Sequence, residues 1–257
     1  MSTTHQHGFT LIESLLFLAI TGTLITAILA GTGAAINTQR YRDSVTSLKA
    51  SVQSQYNDVL NVRNEERVGG LTCDTNAQAT QSGATQQRGQ TDCVVMGRYA
   101  VIVDNTMTSY SVIGYKASSA TQYASDIAEF QDYNLSRLTV DQEIKELEWG
   151  AQIAWPASGS GSRNPTTPRT FSMLILRSPA SGLVYTFTAD SDVSDIETMV
   201  IAGITPTNGL NAQSQRRICV ASGDTTPGGL AVFIPAYTGG QSAIEIRTND
   251  MGDNSRC

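Results

Sequence analysis

A carboxylate at position 13, heading a run that carries no further charge as far as Ile36, sets the chemical question of this sequence. At the centre of a bilayer an acidic side chain costs roughly 2.5–3.5 kcal/mol, and less near the end of a span. Something must offset that. A cut between Gly8 and Phe9 would create an α-amino group, with an ordinary pKa of about 7.7–8, four residues before Glu13 and on the same helical face. Amine and carboxylate can then pair within one chain or between neighbouring subunits. The alternative is an acidic residue in a first helical turn, favoured by the helix dipole and kept wet at the interface.

The other reactive side chains fall into three groups. Cys73, Cys93, Cys219 and Cys257 have neither C-x-x-C redox spacing nor zinc spacing. Closeness in sequence favours bonds between Cys73 and Cys93 and between Cys219 and Cys257, as in an exported domain. The first bond would close a loop of about 20 residues, worth roughly 3 kcal/mol if it acts through chain entropy. Asp190, Asp192 and Asp195 offer hard oxygen ligands of the kind calcium takes. Their spacing misses the EF-hand pattern, and turn-capping explains them as well. Arg216 and Arg217, with Arg169 and Arg163, form a candidate patch for phosphate or DNA. Adjacent arginines beside a strand are also ordinary solvated residues.

Catalytic chemistry is excluded more readily than it is found. Both histidines, His5 and His7, precede Gly8, so a chain cut there contains none. Histidine triads and histidine-ligated zinc are then ruled out. There is no P-loop and no dinucleotide fingerprint, and Glu146 with Glu148 reads as a solvated face. The sequence calls for no cofactor and describes no enzyme. Its net charge of −6 and pI near 4.9 give no overall attraction to nucleic acid.

The elements that must position these groups start with the apolar run. Ser14 to Ile36 exceeds the ~20 residues that a helix needs to cross a bilayer core. A conventional secretory signal has a shorter apolar region and is cut after it; here the candidate cut comes before. Gly22, Gly31 and Gly33 would let neighbouring helices approach closely. Further on, Tyr41, Val45, Leu48, Val52, Val59 and Val62 recur at three- and four-residue steps. They predict an amphipathic continuation of the same helix to about Asn64, stopped near Gly69-Gly70. Leu71 to Gln90 reads as a polar loop and Ala120 to Tyr133 as a short helix, while Val140 to Trp149 fits either helix or strand. Strands are expected at Cys93 to Val103 and Ser109 to Lys116, turning at Asp104-Asn105, and at Thr170 to Leu176 and Leu183 to Thr188. Arg217 to Ala221, Leu230 to Ile234 and Ala243 to Arg247 would complete one sheet. The expected fold is α+β: a long N-terminal helix packed on a mainly antiparallel β-sheet head.

Gly8-Phe9-Thr10-Leu11-Ile12-Glu13, followed by that apolar run, resembles the processing site of type IV pilin and pseudopilin precursors. The resemblance implies that a prepilin peptidase cuts after Gly8, that Phe9 is N-methylated, and that Glu13 docks the subunit into a growing filament. It divides the chain into a leader, 1–8, a membrane and filament-core helix, 9–36, an amphipathic extension, 37–66, and a β-rich head, 67–257. Its implied partners are the peptidase, other pilin subunits, the pilus assembly platform and the membrane. The precursor would sit in the cytoplasmic membrane as a single-pass chain, and the assembled subunit at the cell surface. The length of the chain inclines the reading toward a minor pilin. A type II secretion pseudopilin, or a DNA-uptake or adhesin pilin, would share the same N-terminus. Two features depart from the pattern: no Lys or Arg precedes Gly8, and no proline interrupts the apolar helix. The first basic residues, Arg40 and Arg42, lie beyond the run, so topology follows from the motif rather than from flanking charge.

Overall fold

Helix α1, Leu11–Leu60, runs 50 residues without a break, roughly 75 Å at about 1.5 Å per residue. It belongs to a computed structural model that describes residues 10–61, 71–81, 93–155, 169–202, 216–222, 229–235, 238–248 and 257. No proline interrupts the helix. Its threonine hydroxyls turn back on the preceding turn, Thr21 Oγ1 donating to Phe17 O at 2.8 Å and Thr26 Oγ1 to Gly22 O at 3.1 Å. Those donors are satisfied inside the helix and impose no unmet demand on an apolar surrounding. The helix closes at Asn61, whose N–H donates to Asn57 O at 2.8 Å. It therefore ends earlier than the expected Asn64, and Gly69-Gly70 lies outside the described residues.

The remaining elements follow in chain order. β1, Leu71–Cys73, and β2, Ala79–Gln81, form a small antiparallel pair where a polar loop was expected. β3, Cys93–Val103, and β4, Thr106–Lys116, are the expected hairpin, turning through Asp104-Asn105 with Asp104 at φ 57°. α2, Asp126–Gln131, is capped by the Ser125 hydroxyl and occupies only part of the helix expected from Ala120 to Tyr133. β5, Tyr133–Glu146, makes the ambiguous stretch strand as far as Glu146, while Trp149 falls in the turn that follows. A 3-10 turn, Glu148–Gly150, leads to β6, Ala151–Ala154. β7, Thr170–Arg177, β8, Val184–Ala189, α3, Glu197–Ala202, β9, Arg216–Ser222, β10, Leu230–Ile234, another 3-10 turn, Gln241–Ala243, where the last strand was expected to begin, and β11, Glu245–Thr248, complete the order.

The strands form two principal sheets rather than the single sheet expected. One runs β5-β4-β3-β7-β8 and the other β11-β10-β9-β6, with every pairing antiparallel. The division arises because β9 pairs with β6, Ala151 opposite Ser222 and Ala154 opposite Cys219, while β3 takes β7. At a register shift in β3, Gly97 lies so close to β7 that a Cβ would overlap the Ile175 carbonyl oxygen.

Helix α1 presents Tyr41, Val45, Leu48, Val52, Tyr56 and Val59 to both sheets. They meet Ala100, Ile102, Phe171, Met173 and Ile175 of the first, and Ile153, Ile218, Val220, Val232 and Ile234 of the second. The Tyr41 hydroxyl accepts from Gly229 N at 3.0 Å and Leu230 N at 2.9 Å and lies 3.2 Å from Val220 O. The opposite face of the first sheet packs Tyr99, Val101, Leu174 and Leu176 with Phe130 of α2 and Met199 and Val200 of α3. The result is a long helical stalk whose outer half is clasped by an antiparallel head.

Candidate functional site

Glu13 opens α1 as one half of a reciprocal cap. Its Oε2 accepts from Thr10 N and from Thr10 Oγ1, each at 2.9 Å, while Glu13 N donates to Thr10 Oγ1 at 3.4 Å. The Thr-x-x-Glu spacing produces this arrangement because residues three apart meet at a helix N-terminus, where backbone N–H groups lack helical acceptors. A carboxylate so placed also interacts favourably with the positive end of the helix dipole. The cap fixes the carboxylate at the very head of the apolar surface. Gly8 and Phe9 lie outside the described residues.

Beyond Glu13 the helix is bare. Leu11 is 80% exposed, Leu24 56% and Leu29 65%, and no residue from Leu11 to Arg40 is buried. By length and composition α1 can cross a membrane. Gly22, Gly31 and Gly33 have no atom within 4 Å of where a Cβ would stand. The chain's own packing therefore does not require them. They leave shallow notches on an apolar rod, the surface on which a second helix approaches closely.

The other candidates are scattered. Arg169 is 3% exposed and donates to Arg217 O at 2.8 Å and Asp190 Oδ1 at 2.6 Å, tying the start of β7 to β9 and to the end of β8. Arg217 is 7% exposed, and Arg216 reaches Thr188 Oγ1 at 2.8 Å. Burial lowers the Arg216 pKa, partly countered by Asp190. This corrects the open phosphate patch: two of its arginines lie inside the head, and Arg163 is outside the described residues. Adjacent residues of a strand face opposite ways, so Arg216 and Arg217 do not form one surface.

The three aspartates also part company. Asp190 holds Arg169; Asp192 accepts from Tyr99 Oη at 2.7 Å and Arg137 Nη1 at 3.2 Å; and Asp195 accepts from Glu197 N at 3.2 Å, at the start of α3. Among the described residues no cluster of acidic, cysteine or histidine side chains is arranged to hold a metal. Disulfides join Cys73 to Cys93 and Cys219 to Cys257, with Cα atoms 6.0 and 5.5 Å apart. The first fastens the β1–β2 pair to the main sheet, and the second anchors Cys257 on β9.

Arg98 is the positioning residue that the sequence reading missed. It is 8% exposed and reaches Gln55 Oε1 of α1 at 3.1 Å, Ser111 Oγ at 3.1 Å and Ser109 Oγ at 3.0 Å. Asp141 and Glu143 lie 3.5 and 3.4 Å from its guanidinium. It thus bolts the helix to the first sheet in one rotational setting. The available signal was a lone arginine within the apolar strand Cys93 to Val103.

Residues 3–29 match the family model for the prokaryotic N-terminal methylation motif, so this N-terminus carries the type IV pilin, prepilin-type signature. The match supports a type IV pilin-like or pseudopilin protein, made as a membrane-anchored precursor for prepilin peptidase and for assembly with other pilins. No curated protein and no solved structure matches the chain.

Proposed function

We propose that the chain is a subunit, of the minor kind, of a type IV pilus. It is cut after Gly8, methylated on Phe9 and added to the filament through Glu13 and the bare half of α1. The observation that carries this reading is an unbroken helix whose first half is apolar on every side, unburied, and headed by a single carboxylate. A helix that is apolar all round needs an apolar surrounding on all sides. Lipid supplies it before assembly, and the same helices of neighbouring subunits supply it afterwards. In the filament the Glu13 carboxylate exchanges its Thr10 cap for the new amine of Phe9, on its own chain or a neighbour. The head, held outside by α1, contributes the outer surface.

The test is intact-mass and N-terminal peptide analysis of the chain sheared from the cell surface, compared with the membrane fraction. The expected surface species begins at methylated Phe9. Chain confined to the membrane with residues 1–8 intact would overturn the reading.

A further inference from the structure

We propose that Trp149 is the head's foothold on the bilayer: an indole seated at the lipid–water boundary beside Arg40 while α1 spans the membrane. The inference rests on the membrane reading of α1 and extends it to a residue of the head. Ile36 ends the apolar run and Arg40 follows one helical turn later, about 6 Å along the axis. At that level the Arg40 guanidinium lies 4.9 Å from the centre of the Trp149 ring. Trp149 is 57% exposed, so the largest apolar side chain available stands in the open where the helix leaves the span.

The backbone beneath it is held from several sides. Ser44 Oγ of α1 donates to Glu148 O at 3.0 Å, Leu147 is buried, and Leu147 N donates to Asn105 O at 2.7 Å. Trp149 itself has φ 59° and ψ 29°, and Gly150 follows at φ 64°. A left-handed backbone is strained for an aromatic residue and persists only where its surroundings impose it. Here it turns an indole outward beside the stalk instead of into the core. Tryptophan gathers at membrane interfaces because its ring is apolar and its N–H is polar. Arginine complements it, keeping its stem in the apolar zone while its charge reaches phosphate.

Trp155 provides the contrast within the same chain. It follows strand β6, where each residue advances about 3.3 Å, and its ring faces Arg169 at 4.5 Å. It is 43% exposed, yet it stands at the far end of β6 from the neck.

The sequence contains only these two tryptophans, so each can be observed alone. The full chain is placed in nanodiscs of phosphatidylcholine and phosphatidylglycerol as Trp155→Phe, which leaves Trp149, and as Trp149→Phe, which leaves Trp155. Lipids brominated high on the acyl chain serve as contact quenchers. Trp149 emission is expected to fall several-fold more than Trp155 emission, and more with shallow bromines than with deep ones. Weak and equal quenching in chains that co-purify with the discs overturns the proposal and leaves the membrane reading standing. Chains that fail to enter the discs overturn both. Unquenched Trp149 whose emission shifts with chain concentration assigns the indole to a second copy instead, and also overturns the proposal.

Discussion

From Leu11 to Ile36 helix α1 buries no residue, whereas from Tyr41 to Val59 it buries nine on one stripe, although the backbone continues unbroken from one half to the other. In the packed half apolar residues return every third or fourth position with polar ones between them, so one face satisfies the hydrophobic demand and the head covers it. In the bare half the demand goes all the way round. No head attached at one side can meet it. Periodicity, more than average hydrophobicity, thus separates the part of a helix that its own chain covers from the part that needs lipid or other subunits.

Substitutions can break this comparison. The largest difference is expected for Leu48→Asp against Leu24→Asp. At Leu48, 0% exposed, an unpaired charge costs several kcal/mol, and the head should not show a cooperative melt in circular dichroism. At Leu24 the head should melt as before in detergent, while membrane fractionation shows impaired insertion. Equal effects on the melt would end the distinction between the halves.

Arg98→Met comes next. The buried guanidinium's hydrogen bonds to Gln55, Ser109 and Ser111 are lost, while Glu143 stays largely in water, for roughly 1–3 kcal/mol, readable as a lower urea midpoint. Tyr41→Phe leaves the Gly229 and Leu230 N–H groups without the hydroxyl they donate to, for roughly 1–3 kcal/mol by the same assay.

A smaller effect is expected in alkali. Burial pushes the phenols of Tyr56 and Tyr99 from 10.0 up to about 12. Between those values the native chain keeps protons that the unfolded chain has lost. The stability they contribute is whole below pH 10.0 and declines as pH rises to about 12. Tyr56→Phe should flatten that decline in pH-dependent denaturant melts. Least of all for the head is Glu13→Gln, which should leave its melting unchanged while abolishing recovery of the chain in sheared filaments. Normal filament yield would remove Glu13 from the docking role.

Local features were the legible ones. Asp104-Asn105 between two β-branched runs marked the β3–β4 hairpin, and the stripe through Leu48 and Val52 marked the packed helix. The second sheet was hidden because β6 is only four residues long and its partner β9 lies more than sixty residues away, with no turn to announce the pairing. Arg217 was misplaced for a related reason: a doublet of arginines looks exposed until the strand that alternates their directions acquires cover on both faces. Gly8 to Glu13 announced itself through residue order. The burial of Arg98, by contrast, depends on β3, β4, β5 and α1 arriving together.

The alignment of the packed stripe with the axis of α1 has a mechanical consequence. A pull on the bare half reaches the head along the helix, parallel to the row of side chains from Tyr41 to Val59. Those contacts and the Arg98 bolt are then loaded in shear and yield together, whereas a sideways force would open them one after another. The molecule is built to be towed by its stalk and is weakest against peeling.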